Sequence, residues 1–383
     1  MIAFNQPALL ANGADLLRGV IGDQAVAQLE AKIFLFQDSL QKWKYSHGLA
    51  QQAAPWRVAS ATPTVFIPTD TLMSPPEITP DWTETSLSPA HAATSPTPPA
   101  TAPVLWRLAA LTPLGNLPGE GEWTAYIQDA SGKIVAYRTF LQPDPDRAYA
   151  LTAIIAFNLN YTRLHFVLGT VEPYSPDSPK RSGLIPNSDR IPGVLLAMFN
   201  GGFKARHGQF GAMANAITAL PARDGLGTLA IYADGSLRMG EWGFDLTSSP
   251  DMIAFRQNGP LMIHQGTINP EIYKNSPKDW GYTVNNLAPT WRSGIGLSVD
   301  RETLYYFCGP SLTVESLAKS MLSSGVTEAM QLDINAYWVH FVAVRTDGKK
   351  LNLEALFPTM MNDNLDRYLW AYTRDYFYVT ARP

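Results

Sequence analysis

The run Leu195-Leu196-Ala197-Met198-Phe199, ending at Asn200-Gly201-Gly202, constrains this chain more than any other stretch. Five consecutive apolar residues read as a strand buried on both faces; length by itself leaves a buried helical segment open. The two glycines remove side-chain bulk and admit positive φ, so the backbone can turn sharply there and approach a ligand closely. Asn200 places an amide at the strand tip, and Lys204, Arg206 and His207 follow at once. A small backbone with convergent polar and cationic groups suits an anionic or sugar-like ligand. A strand, a turn and a solvated basic loop is the plainer reading of the same residues.

Composition excludes several classes. With 383 residues the chain has room for two or three domains, and its 46% hydrophobic content supports a sizeable core. The net charge of −4 gives no basic field for nucleic acid. One cysteine, Cys308, cannot build a disulfide framework or a thiolate cluster; within the apolar run 304–308 it reads as a buried thiol. None of the six histidines has metal-ligand spacing, so neither metal nor cofactor is expected. No apolar run approaches the ~20 residues of a membrane span, and residues 1–13 carry no recognisable secretory signal.

Four segments follow from the order of the chain. Residues 1–54 form an N-terminal helical segment. Within it Asp23–Ser46 places Val26, Leu29, Ile33, Phe36, Leu40 and Trp43 at alternating spacings of three and four, the a/d stripe of a helix. Asp23 suits its N-cap and Gly48 its stop. The stripe fits docking on its own domain, self-association or a membrane-proximal contact. Residues 55–103 hold eleven of the thirty prolines, and no Lys or Arg lies between Arg57 and Arg107. This composition reads as an extended linker, with 65–67 and Trp82 as points that pin it to a surface. Residues 104–144 read as a small β unit, a hairpin around the turn 129–132.

Residues 145–383 alternate short apolar runs with turns. Strands are expected at 151–157, 164–168, 228–233, 236–239, 255–263 (interrupted at Asn258-Gly259-Pro260), 304–307, 329–332 and 338–344. Asp234-Gly235 is a hairpin turn. Thr313 caps a helix over 314–324, and Asp363 and Asp366 read as caps of a final helix. Strands outnumber helices, which argues for an α+β fold with a mixed, mainly antiparallel sheet.

Three landmarks occur in order: Asn200-Gly-Gly-Phe203, Arg292-Ser-Gly-Ile-Gly296 and Gly325-Val-Thr-Glu-Ala-Met-Gln-Leu-Asp333, with Asn258-Gly-Pro-Leu261 between the first two. In this the chain, from about 147 to 383, resembles the phosphodiester glycosidase family. The resemblance implies a hydrolase that cleaves a sugar-1-phosphodiester at the sugar, leaving a phosphomonoester. It implies a glycan or glycosyl-phosphate substrate, from an exopolysaccharide or cell wall, and a location outside the cytoplasm. Asp333, Arg292 and His207 become the expected catalytic residues. Arg292 would hold phosphate bidentately, Asp333 would stabilise the anomeric centre or activate water, and His207 would shuttle a proton. Asn200, Gly201, Gly202 and Asn335 would bind substrate. The family's Asp-Gly-Gly-Gly-Ser is replaced here, since Asp333 is followed by Ile334-Asn335-Ala336-Tyr337. That change is expected to narrow the approach, and it keeps a second reading open: a non-catalytic glycan-binding or surface-scaffold relative.

Overall fold

Short β-branched and aromatic runs, punctuated by glycine and asparagine turns, pair with their neighbours before they pair with anything distant, and here they build three sheets. The computed structural model describes residues 17–49, 64–65, 106–274, 279–281, 286–348, 350–357, 360 and 365–382. The strands in chain order are β1 (Thr64–Val65), β2 (Thr124–Gln128), β3 (Ile134–Leu141), β4 (Thr152–Asn158), β5 (Thr162–Val167), β6 (Leu195–Asn200), β7 (Ala212–Ala214), β8 (Ile217–Leu220), β9 (Gly227–Tyr232) and β10 (Leu237–Glu241). They continue with β11 (Met252–Gln257), β12 (Leu261–His264), β13 (Thr267–Ile268), β14 (Thr290–Ser298), β15 (Thr303–Leu312), β16 (Val326–Ile334), β17 (Phe341–Asp347), β18 (Lys350–Ala355) and β19 (Tyr376–Ala381). Two helices are named here, α1 (Asp23–Ser46) and α2 (Val314–Ser323).

An eight-stranded sheet has the order β13-β12-β16-β14-β15-β4-β3-β2. A six-stranded sheet runs β1-β18-β17-β6-β19-β5, and a five-stranded sheet β10-β9-β11-β7-β8. The strand ladders among the described residues are antiparallel, as in β14 with β15 and β16, or β6 with β17 and β19. The expected α+β class therefore holds.

All three sheets contribute to one core, with Ile155, Phe199, Leu229, Ile295, Phe341 and Phe377 among its members. β6 is buried along its whole length. Leu196 and Phe199 face that central core, while Leu195 and Met198 face a second one beneath Leu365 and Tyr368. Each such side chain contributes roughly 1.5–3 kcal/mol on leaving water. Around Phe199 the rings of Tyr306, Phe377 and Phe341 lie at 4.7, 5.5 and 6.1 Å. α2 packs on the far face of the eight-stranded sheet through Leu317, Ala318 and Met321. Thr313 caps it as expected, its hydroxyl accepting from the Ser316 amide at 3.1 Å. Cys308 is fully buried.

The structure departs from the sequence reading in four places. The hairpin β2–β3 pairs edge-on with β4, so the boundary drawn at 144 falls between two adjacent strands of one sheet. No helix follows Asp366: a single 3-10 turn, Arg367–Leu369, leads instead into β19, which lies between β5 and β6. Asp366 accepts from the Trp370 indole at 2.9 Å, and Asp363 lies outside the described residues. The N-cap of α1 is Gly22, at φ 84°, and not Asp23. The apolar stripe of α1 does not face its own domain beyond Val26. Leu29, Ile33, Leu40 and Trp43 are 41–51% exposed and Phe36 is 70% exposed. Within the linker, Val65 pairs with Leu351 at the edge of the six-stranded sheet, while Trp82 lies outside the described residues.

α1 docks instead through a polar contact. Asp38, 7% exposed, accepts from Arg147 at 2.9–3.1 Å and from the Tyr149 hydroxyl at 2.5 Å. A heptad pattern reports which helix face is apolar; this buried carboxylate decides which face is covered. Replacing Asp38 with Ala should weaken docking by about 1–3 kcal/mol, since it leaves the half-buried Arg147 with Asp144 as its remaining carboxylate and the Tyr149 hydroxyl without its acceptor. Hydrogen exchange should then quicken along α1 and leave β6 and β14 unchanged.

Candidate functional site

Five strand ends meet at the elbow Asn200-Gly201-Gly202-Phe203. Its hydrogen bonds explain the residue types. The Asn200 side chain donates to Gly201 O at 3.0 Å and Ser293 Oγ at 2.9 Å, and accepts from the Tyr306 hydroxyl at 2.8 Å and the His340 amide at 3.2 Å. Gly201 N donates to Asp375 O at 3.2 Å, and Asp333 N donates to Gly201 O at 3.1 Å. A Cβ on Gly201 would stand 2.2 Å from Asp375 Oδ2, and one on Gly202 2.8 Å from Arg256 Nη2. Close approach to neighbouring side chains is what requires glycine here.

Two buried ion pairs flank the turn. Arg256 Nε donates to Asp375 Oδ2 at 2.8 Å, and the Gly202 amide donates to the same oxygen at 3.0 Å. The Arg256 guanidinium also donates to the carbonyls of Phe203, Phe210 and Gln257 at 2.6, 3.2 and 2.6 Å. Arg374, the residue before Asp375, donates to Asp333 Oδ2 and to Gly202 O, the latter at 2.8 Å. Asn258 holds the elbow from the opposite side. Its Oδ1 accepts from Phe203 N at 3.1 Å, and its Nδ2 donates to Gln331 O at 2.6 Å.

Asp333 stands at the end of β16. Its side chain is 8% exposed, and its Oδ1 accepts from the Ile334 amide at 2.8 Å. Burial pushes this carboxyl above the ordinary aspartate range, against the pull of Arg374. Asp375 raises it further, while Lys204 opposes. The Arg374 guanidinium lies 4.3 Å over the Trp338 ring, and Lys204 Nζ 5.0 Å from it. Lys204, Arg206, Arg374 and Arg18 surround His207, and burial together with those cations pushes its imidazole down to about 3. His207 is therefore neutral at physiological pH, and its Nε2 accepts from Arg206 at 3.2 Å.

Of the expected residues, the structure brings together Asp333, Asn200, Gly201 and Gly202, with His207 nearby. Arg292 is not with them. It is fully buried, and its guanidinium donates to the carbonyls of Leu312, Trp280 and Ala288 and to Gln331 Oε1 at 2.9–3.2 Å. Only burial shifts it, down to about 9, and no carboxylate acts on it. It pins the loop before β14 to the sheet, and Arg374 takes the place beside Asp333.

Asn335 takes a positive φ of 71°. Asparagine is among the few side chains that tolerate this region. Its Oδ1 accepts from the amides of Tyr337 and Trp338 at 3.2 and 3.3 Å, so it shapes the turn that carries Trp338 beneath the cations. Ile334 comes close to Gly281, where a Cβ would meet its Cδ1 at 2.6 Å. Arg256, Arg374, Asp375 and Trp338 were not picked out from sequence. A charged doublet, Arg374-Asp375, directly before the apolar run 376–379 was the available signal, as was an arginine inside the run 252–257.

Among the described residues no group of three His, Cys, Asp or Glu side chains is placed to hold a metal ion. No helix there is long and apolar enough to cross a membrane. No protein-family model matches the chain, and no curated protein does. Among solved structures it is similar to the zebrafish N-acetylglucosamine-1-phosphodiester alpha-N-acetylglucosaminidase catalytic domain auto-inhibited by its pro-peptide. Identity is 14% over 71% of this chain and 86% of that one, with a TM-score of 0.38. It is also similar to a hypothetical protein from Synechocystis, at 10% identity over 68% and 62% of the two chains and a TM-score of 0.31. Both are distant similarities of fold and say nothing of the chemistry at the elbow.

Arg256→Met should lower the unfolding free energy by roughly 3–5 kcal/mol, because it leaves Asp375 buried without its cation. The drop will be read as a lower urea midpoint.

Proposed function

We propose that the elbow binds a glycosyl phosphate and hydrolyses its phosphodiester at the sugar side. The observation that supports this best is the Asp333 carboxyl, raised by burial above its ordinary value and held by Arg374, with Lys204 and Arg374 both over the Trp338 ring. A phosphate leaving group departs as an anion, so it needs a cation more than a strong acid. Arg374 presents a planar guanidinium for that purpose, and Lys204 adds a point charge. Asp333 is the carboxylate for the oxocarbenium-like centre or for the attacking water. His207 serves as a neutral hydrogen-bonding group. A location outside the cytoplasm and a glycan polymer as the source of substrate belong to the same proposal, and rest on the family resemblance.

A second reading, non-catalytic glycan binding, is favoured by one observation. Only 8% of the Asp333 side chain is exposed, and Ile334 stands where the family pattern has glycine. Phosphorus NMR separates the two. Incubation with an N-acetylglucosaminyl-phosphoryl-sugar diester should yield a phosphomonoester, with turnover lost in Asp333→Asn by a factor on the order of 10² or more. A diester that binds and stays intact would leave the non-catalytic reading standing.

The pH dependence follows from the direction of the shift. Asp333 acts ionised, and its carboxyl is raised, so activity should rise with pH through a midpoint above the ordinary aspartate range. Arg374 pulls that midpoint down. In Arg374→Gln the acid limb of the kcat/KM profile should move to higher pH, a change that loss of structure alone would not produce.

A further inference from the structure

We infer that the cavity beside β5 is a second binding site, for an aliphatic chain that carries an anionic head. It has a volume of about 580 Å³ and is bounded by the edge of β5, the loop 180–189 and one face of the five-stranded sheet. β5 pairs with β19 alone, so its other side is a sheet edge. The floor is apolar, formed by Phe166 and Ile231, both buried. The rim is mixed, with exposed Ser182, Asn187 and Asn215 beside two aliphatic side chains. Leu184 and Ile253 line the cavity while 37% and 43% exposed. Aliphatic side chains left open around a concave apolar floor mark a ligand groove more than a finished core.

The groove is electrically polar along its length. β19 runs antiparallel to β5, with Tyr376 opposite Val167 and Tyr378 opposite His165. At the His165 end, Asp189 already accepts from the Tyr378 hydroxyl at 2.7 Å and from Ser188 at 2.9 Å. Burial, the largest influence, keeps the His165 imidazole below its ordinary value, and its ring stacks on Tyr378 at 4.5 Å. At the other end, beyond Val167, Arg181 donates to the carbonyls of Val171 and Pro173 at 2.5 and 2.9 Å, and Lys180 precedes it on the cavity lining. Arg181 is within electrostatic reach of Asp375 and Glu172, which bond the elbow amides of Gly202 and Ala205. Lys180 is exposed and makes no ion pair among the described residues. An anion therefore seats toward Lys180 and Arg181, and the chain it carries lies along β5 over Phe166 and Ile231.

Calorimetric titration of the full chain with decyl phosphate, below its micelle-forming concentration, tests the inference, with decanoate, decanol and inorganic phosphate as comparisons. One decyl phosphate should bind per chain, and decanoate should also bind. Decanol and inorganic phosphate should each bind at least about tenfold more weakly, a difference of about 1.4 kcal/mol. Ile253→Trp, which fills the groove from an exposed position, and Lys180→Glu, which reverses the charge at its head, should each weaken decyl phosphate by a similar factor. Asp333→Asn should not, and Ile253→Trp should leave diester hydrolysis unchanged. Absence of decyl phosphate binding overturns the inference. So does binding that Asp333→Asn weakens and Ile253→Trp does not, which would assign the ligand to the elbow. Inorganic phosphate binding as tightly as decyl phosphate would reduce the site to an anion contact and overturn it too. Competition by an extended peptide without an anionic group, at equal affinity, would mark a strand-addition edge in its place.

Discussion

The doublet Arg374-Asp375 holds the site together. Two adjacent residues at the entry to β19 point opposite charges at opposite sides of one turn: Asp375 to Arg256, and Arg374 to Asp333. All four side chains are nearly or wholly buried. Charges taken out of water are tolerated only where partners and hydrogen bonds replace the lost solvation. Here the replacement comes from the elbow, whose Gly202 amide and carbonyl bond Asp375 and Arg374 respectively. The glycines, the carboxylates and the arginines therefore require one another. A Cβ at Gly201 would displace Asp375, and without Asp375 the Gly202 amide would lose its acceptor and Arg256 its carboxylate.

This arrangement also sets the electrostatics. One buried carboxylate, Asp375, is consumed by structure. The other, Asp333, keeps a single arginine and a single amide, and burial leaves its carboxyl raised. Burial first, and then the surplus of positive charge over the turn from Lys204, Arg206 and Arg374, leaves the His207 ring neutral. On the proposed function, this surplus is what meets the phosphate of the substrate. Trp338, beneath Arg374 and Lys204, adds a polarisable surface that holds cations in place without neutralising them. The turn 334–338 thus sets an aromatic ring against the cationic rim.

Arg292 shows how a residue type can satisfy two quite different chemistries. An arginine before Ser-Gly-Ile-Gly fits a phosphate clamp, and equally fits a buried cation that gathers carbonyls from a long loop. The loop between β13 and β14 supplies Trp280 and Ala288, and α2's approach supplies Leu312. Four carbonyl-type acceptors spread the charge well enough for the guanidinium to sit in the dry interior without a carboxylate. The same ambiguity governs α1, whose apolar stripe is real but lies mostly open, while Asp38 carries the docking contact.

Much of the fold was legible in the residues themselves, because strand and turn signals act locally. The both-faces-buried β6, the Asp234-Gly235 hairpin, the break at Asn258-Gly259-Pro260 and the Thr313 cap each rest on a few neighbouring positions. The Gly-Gly elbow and Asp333 at a strand end were legible for the same reason. What tertiary structure alone decided is which distant charges meet. Asp333 and Arg374 are 41 positions apart and Arg256 and Asp375 are 119 apart, so no local spacing reports either pairing. The final strand, Tyr376–Ala381, drew no reading from the sequence, where Asp363 and Asp366 suggested helix caps instead; it lies between β5 and β6. Sequence determined the pieces, through backbone preference and apolar pattern. The assembled sheets determined which carboxylate is solvent-starved, which arginine answers it and which is spent on carbonyls, because desolvation depends on neighbours that only folding brings together.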